Sequence, residues 1–274
     1  MKNSKNHKYN IAILLPTRGR TDALNRSIVS LVNRALDKDK IQLLLAFDND
    51  DNIGYDYFEK EIVPYLESKG VDYEAFEFDS LGYEGLNQYY NSLAKNADAD
   101  WFFIWNDDAI MESTGWDRTI ASHTGNFKLL AVRTHRDHPY SIFPIIPTEW
   151  HDVMGYLSRH QMIDAEVSHI AYMLDIFERI PVYVTHDRFD LTGNNLDETE
   201  INRVRFEGNP DNPLDYSNIH NVQGRVKDAE FLSKYLQSKD MDMSWWENVK
   251  TGKQDPWEKL AANDPNGQTV RTSK

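Results

Sequence analysis

The chain has no cysteine. That excludes disulfides and thiolate metal sites, so any bound metal must rest on carboxylates, carbonyls and histidine. No apolar run approaches the ~20 residues of a membrane-spanning helix. The basic start, Met1-Lys2-Asn3-Ser4-Lys5, leads into a strand-like segment and not into the apolar stretch and small-residue cleavage site of a secretory signal. The expected location is therefore cytoplasmic. Cations are outnumbered, 30 Lys and Arg against 44 Asp and Glu, for a formal net charge of −14. Such a chain repels polyanions on average, which argues against general nucleic-acid binding and leaves room only for a local basic groove. Walker-A and Gly-x-Gly-x-x-Gly loops are both missing, which disfavours P-loop and dinucleotide readings. There is no internal repeat and no low-complexity tract.

Apolar residues make up 40% of the 274 positions, enough for a sizeable core. They fall in alternating short runs and helical stripes. Residues 11–15 form a buried-strand run ending in Pro16-Thr17-Arg18-Gly19-Arg20. Thr21 or Asp22 can then cap a helix whose apolar face is Leu24, Ile28, Leu31, Val32 and Ala35. A second strand over 41–47 ends in Asp48-Asn49-Asp50-Asp51. The pattern then predicts a helix over 55–69 stopped by Gly70, a strand over 71–78, and a helix ending near Lys95. The five-residue run from Trp101 to Trp105 meets Asn106-Asp107-Asp108 at once. Further strands are expected over 129–132, 142–146 and 181–185, with a helix over 164–179. Strands alternating with helices imply an α/β domain over residues 1–202 with a mostly parallel sheet covered on both faces. Residues 203–274 read as a C-terminal extension with one short helix over 226–237, the anchors Trp245, Trp246 and Trp257, and a frayed polar end.

In such a sheet, ligands bind beyond the carboxyl ends of the strands. The 16–20 loop, the 48–51 cluster and the 106–108 triplet should therefore share one edge. Two carboxylates beside an apolar strand are costly unless something cationic accompanies them. Asp107-Asp108 thus reads as a site for a hard divalent cation, Mg2+ or Mn2+, which uses one or two carboxylates plus substrate oxygens. The alternative is a solvated turn. Asp98-Ala99-Asp100 precedes its strand and is expected as a solvated loop at the opposite end. Asp48-Asn49-Asp50 suits a nucleotide's base or ribose, or a structural turn. Arg18 and Arg20 can pair with a diphosphate. His186, after its strand, is either a neutral imidazole ligand or a structural histidine, and Asp187 either orients it or is exposed. Asp164 and Glu166 open a helix, where the dipole alone favours acids; a general base for an acceptor hydroxyl is the other reading. His135-Arg136-Asp137-His138 lacks the spacing of a helical zinc pair and reads as a surface loop near the acceptor.

The ordered set, from Ile11-Ala12-Ile13-Leu14-Leu15-Pro16-Thr17-Arg18-Gly19-Arg20 through Asp48 and the helix over 87–94 to Trp101-Phe102-Phe103-Ile104-Trp105-Asn106-Asp107-Asp108, resembles family-2-type glycosyltransferases of the GT-A fold. The resemblance covers residues 9–190. It implies a Rossmann-like sheet and a metal-dependent transfer of sugar from a nucleotide donor, most often a UDP-sugar, to an acceptor glycan or other hydroxyl. By the same resemblance Pro16, Thr17, Arg18 and Asp48 would hold the nucleotide. Asn106 and Asp108 occupy the outer positions of the family's Asp-x-Asp motif, with Asp107 between; Asn stands in place of the first Asp. Asp108 would be the principal metal ligand and His186 a late one. Asp164 would be the base, with Glu166 in reserve. A nucleotidyltransferase would want a Gly-rich, lysine-bearing first loop, which 16–20 is not. A non-catalytic module that binds a nucleotide sugar or a glycan remains the second alternative.

Overall fold

The computed structural model describes residues 7–134, 139–187 and 211–256. The strands, in chain order, are β1 (Tyr9–Thr17), β2 (Ile41–Asp48), β3 (Asp72–Phe78), β4 (Ala99–Ile104), β5 (Ala109–Met111), β6 (Leu129–Thr134), β7 (Pro144–Pro147) and β8 (Phe177–His186). They form one eight-stranded sheet in the order β3-β2-β1-β4-β7-β6-β8-β5. The first four strands are mutually parallel, with Ile13 opposite Leu43 on one side and Phe103 on the other. Beyond β4 the sheet is mixed: β7 runs antiparallel to both β4 and β6, and β5 antiparallel to β8, while β6 and β8 are parallel. The sheet expected to be mostly parallel is parallel over its first four strands and in the β6–β8 pair. Helical segments lie between parallel neighbours, as such pairs require, and the β6–β8 pair follows the same rule.

Both faces are covered. Every residue of β2 is buried, which is why its sequence shows an apolar run and no alternation. Successive side chains still go to opposite faces. Ile13, Leu43, Phe103 and Trp105 join a core with α1 (Thr21–Arg34), the helical stretch α2 (Asn52–Tyr57) to α3 (Val63–Lys69), and α5 (Trp116–Ala121). Leu14, Leu44, Phe102 and Ile104 join the other core, with α4 (Leu86–Asn96), α6 (Thr148–Met154) and α7 (Ile163–Leu174). A π-turn over Phe58–Ile62 joins α2 to α3 and keeps Phe58 and Ile62 in the core. Gly70 ends α3 at φ 67°, the left-handed region that favours glycine.

Four local expectations are corrected. Neither Thr21 nor Asp22 caps α1; the N-cap is Arg20, whose carbonyl accepts from Leu24 N–H at 2.9 Å and whose side chain makes no cap. The helix expected over 164–179 stops at Leu174, because Asp175 takes the left-handed conformation at φ 58°. Phe177, Glu178 and Arg179 then pair in parallel with β6, a long-range contact that overrides their helical spacing. Ala99 and Asp100 belong to β4 and not to a loop, although they do sit at the end away from Asp107. Trp245 and Trp246, expected without an element, lie on the short helix α9 (Ser244–Lys250).

The C-terminal helix α8 (Ile219–Gln237) is longer than the segment expected over 226–237. Its Ala229, Leu232 and Leu236, with Trp246 of α9, are part of the second core. Burying each of those leucines contributes roughly 1.5–3 kcal/mol. Residues 211–250 are thereby built onto α6 and α7. Among the described residues no helix is long and apolar enough to cross a membrane. His135-Arg136-Asp137-His138, Trp257 and the polar stretch 263–274 lie outside the described residues.

Candidate active site

Because β1, β2 and β4 are parallel, their carboxyl ends bring Thr17, Asp48 and the 106–108 triplet to one edge. Asp107 is 5% exposed. Thr17 Oγ1 donates to its Oδ2 at 2.8 Å, and Arg20 Nη1 donates to its Oδ1 at 3.0 Å. The same Arg20 nitrogen lies 3.5 Å from Asp108 Oδ2. On its other side, Asp108 Oδ1 faces His186 Nε2 at 3.2 Å. His186 arrives there because the end of β8 pairs with β5, placing it opposite Ala109. Asp187 does not orient His186. Its backbone N–H donates to the Asp108 carbonyl at 2.8 Å, and its carboxylate accepts from Arg26 at 3.1 Å.

Burial, with the neighbouring Asp108 charge, pushes the Asp107 carboxyl up to about 6 against the pull of Arg20 and Thr17. Burial works against the Asp108 carboxylate too, but His186 and Arg20 outweigh it and hold Asp108 below the ordinary carboxylate range. Two atoms here are buried without a hydrogen-bond partner: Asp108 Oδ1, whose approach to His186 lacks hydrogen-bond geometry, and His186 Nδ1. A carboxylate oxygen is the donor that Mg2+ and Mn2+ favour, and the His186 nitrogen placed to join it is Nε2, which faces Asp108, not the unpartnered Nδ1. Among the described residues no group of three or more His, Asp and Glu is gathered closely enough to hold a metal alone. A hard cation that takes one or two carboxylates and completes its shell on phosphate oxygens and water does not need one.

Three side chains that the sequence did not single out complete this edge. Tyr90 of α4 donates to Asn106 Oδ1 at 3.0 Å and approaches the Trp105 carbonyl at 3.1 Å. Ser27 of α1 donates to the Asn106 carbonyl at 3.1 Å and accepts from Trp105 Nε1 at 2.8 Å. Tyr89 donates to Asp48, which also accepts from Arg18 at 2.7 Å and from Ser80 at 3.4 Å. Adjacent tyrosines on a helix carry no local signal of that role. Arg18 also pairs with Asp50, and these carboxylates raise its pKa further. Pro16 lies within β1 opposite Ala46. Asp51 accepts from Gly19 N at 2.7 Å and Gly54 N at 3.1 Å, fastening the β1 loop to the start of α2. A methyl group on Gly54 would collide with that carboxylate.

The two helix-opening acids part ways. Glu166 is buried, and its Oε2 accepts from Ser158 Oγ and from the N–H groups of Arg159 at 2.9 Å and His160 at 3.1 Å. Asp164 is partly exposed. Burial first, and then the charges of Asp107, Asp164 and Asp108, raise Tyr90 well above its ordinary range, so Tyr90 stays a hydrogen-bond donor. The Asp164 charge also helps raise Tyr140 and Tyr216, after burial. Asp164 therefore belongs to the same electrostatic neighbourhood as the acidic pair.

No protein-family model and no curated protein matches the chain. Solved structures do match. The mannosyltransferase PcManGT from Pyrobaculum calidifontis, in complex with GDP-Man and Mn2+, aligns over 94% of this chain and 85% of its own, with a TM-score of 0.55 and 10% identity. S. aureus TarS aligns with a TM-score of 0.51 and 12% identity over 70% of this chain. That alignment spans 41% of TarS. TarS 1-349 in complex with UDP-GlcNAc aligns over 93% of this chain and 82% of its own, with a TM-score of 0.50 and 12% identity. The fold is GT-A. Identities this low establish the shared GT-A architecture; activity has to be argued from the site.

Proposed function

We propose that the protein is a glycosyltransferase. It would move a sugar from a nucleoside-diphosphate donor, a UDP-sugar foremost, to an acceptor hydroxyl, with a divalent cation at Asp108 and His186. The observation that carries this reading is the Asp107-Asp108 pair at the carboxyl end of β4, Asp107 buried and Asp108 half-buried, held between the β1 loop and His186. The GDP-Man and Mn2+ of the mannosyltransferase and the UDP-GlcNAc of TarS support it, since those proteins share the GT-A fold.

When bound, the cation neutralises charge on the leaving diphosphate. The remaining work falls to the chain. Asp107, fixed by Thr17 and Arg20, sets the orientation of the segment that presents Asp108. Asn106 is held by Tyr90, and its backbone by Ser27, so the triplet is pre-organised before substrate arrives. Arg18, ordered by Asp48 and Asp50, and the Pro16-Thr17 strand end flank the place proposed for the nucleotide. In an inverting transfer, the bond from the anomeric carbon to the donor's phosphate oxygen breaks as the bond to the acceptor oxygen forms. The acceptor proton then passes to Asp164. Glu166, already committed to three donors, supports the helix that presents Asp164.

The test is Mn2+-stimulated hydrolysis or transfer across a panel of nucleotide sugars. Asp108→Ala is expected to lower that rate by on the order of 10²-fold or more, with the fold intact by circular dichroism. Unchanged metal-stimulated turnover in this variant would sink the reading. Binding of UDP and Mn2+ without turnover of any donor would favour a binding module.

A further inference from the structure

We propose that Arg20 is the resident counter-cation of the acidic pair, and that a divalent cation enters by exchange with it, freeing the guanidinium for the donor diphosphate. The inference rests on the metal reading above and assigns Arg20 a positioning role in it. Each acid of the pair has one oxygen turned toward a neighbour other than Arg20: Asp107 Oδ2 toward Thr17, Asp108 Oδ1 toward His186. The other two oxygens, Asp107 Oδ1 and Asp108 Oδ2, share a single nitrogen, Arg20 Nη1, at 3.0 and 3.5 Å. A divalent ion held by Asp108 and His186 would share the Asp108 carboxylate with this guanidinium, which already lies 3.5 Å from its other oxygen. Two cations this close repel each other, and the burial of Asp107 strengthens that repulsion, so binding of one disfavours the other.

Arg20 is built to leave. Its side chain is 27% exposed, against 7% for Asp107. It stands at the N-cap of α1 without making a cap, just after Gly19 at φ 66°. The neutral anchor Thr17 stays in place when Arg20 moves, so the pair keeps its geometry. A guanidinium displaced from two carboxylates has a natural partner in a diphosphate, which matches its fork of donors. Metal and donor binding are then coupled. The diphosphate stabilises the displaced arginine, and the metal releases it, so each ligand strengthens the other by the same factor.

The experiment is calorimetric titration of the full chain with Mn2+, alone and with saturating UDP. In the wild type, Mn2+ alone binds weakly and UDP strengthens it. Arg20→Gln is expected to tighten binding of Mn2+ alone about tenfold and to shrink the strengthening by UDP, whereas Arg20→Lys, which keeps the charge, stays near wild type. Mn2+ affinity that Arg20→Gln leaves unchanged or weakens, or that Arg20→Lys raises as much as Arg20→Gln does, overturns the exchange and leaves the metal site standing. A wild type that binds no Mn2+ with or without UDP overturns the metal site and the exchange with it. Should Arg20→Gln lose its fold by circular dichroism, the wild type supplies the test. The Arg20 guanidinium signal in 15N spectra is expected to move on Mg2+ addition, and a signal that stays put overturns the proposal.

Discussion

Two acids two residues apart on α7 show how much the surroundings of a side chain decide. Glu166 holds three donors from the turn at 158–160, and burial pushes its carboxyl up against their pull. Glu166→Gln leaves one oxygen to accept from these groups but removes the charge that strengthens all three bonds, and is expected to cost about 2 kcal/mol. Nucleotide binding should be unaffected. Asp164→Asn should do the reverse. Stability stays within ~0.5 kcal/mol, as for an unstrained, partly exposed site. The rate of transfer falls by roughly 10²–10⁴ if Asp164 is the base. Urea unfolding and steady-state kinetics on the two variants separate these outcomes; a destabilised Asp164→Asn or a kinetically dead but stable Glu166→Gln would reverse the assignment. The sequence could not separate them, because acids near a helix N-terminus are favoured whatever they do.

At the scale of elements, α8 is the instructive case. It enters the second core through Ala229, Leu232 and Leu236 and is also tied by polar contacts to the segment preceding α7. Asp228 accepts from Tyr156 and from Arg159, each at 2.7 Å. Arg225, 1% exposed, donates to His169 Nδ1 at 2.9 Å and to the Tyr216 carbonyl at 3.0 Å, with its guanidinium 3.8 Å from the Tyr216 ring centre. Arg225→Ala removes two buried hydrogen bonds and a desolvated cation–π contact, and is expected to cost roughly 3 kcal/mol. A fall in the urea midpoint at constant slope would register this; a loss below ~1 kcal/mol would show that α8 is held by its apolar face alone. The apolar face of this helix was legible in part, from Val226 onward. Its first turns were not, since what holds them lies on α7, more than fifty residues away in sequence.

For the molecule as a whole, the seam between α7 and the 211–237 segment sets a pH limit. His160 accepts from Met162 N at 3.0 Å through Nδ1 and faces the Leu214 carbonyl at 3.0 Å through Nε2, which suits the neutral ring. Burial, with the Arg225 charge adding and Leu214 and Asp215 opposing, lowers its pKa from 6.5 to about 4. Burial, and then Arg225, also lower His169 well below its ordinary value. Above pH 6.5 both folded and unfolded chains carry a neutral His160, and there is no penalty. As pH falls from 6.5 toward 4 only the unfolded chain takes up the proton, so stability is lost across that window. The full gap is worth roughly 3 kcal/mol for His160. His160→Asn keeps an acceptor toward Met162 and cannot ionise. It is expected to start less stable at pH 7 and to converge on the wild type by pH 4.5 in thermal unfolding. Curves that run parallel across the window would show that His160 does not carry the loss.

The α/β alternation, the strand ends at Thr17, Asp48 and Asn106, and the strand leading to His186 were readable from the sequence alone. Short apolar runs and helical stripes are local properties, and parallel neighbours put their carboxyl ends on one edge. Tertiary structure alone decided the rest. It turned Phe177–Arg179 from helix into strand through pairing with β6, set β7 antiparallel, and carried α8 and α9 into the common core. It also decided who holds whom: Thr17 and Arg20 on Asp107, Tyr89 on Asp48, Tyr90 on Asn106, Arg26 on Asp187 across 161 positions. Hydrophobic periodicity reports which side of an element is buried, but not which distant side chain meets it there. A carboxylate's charge state and role depend on that meeting.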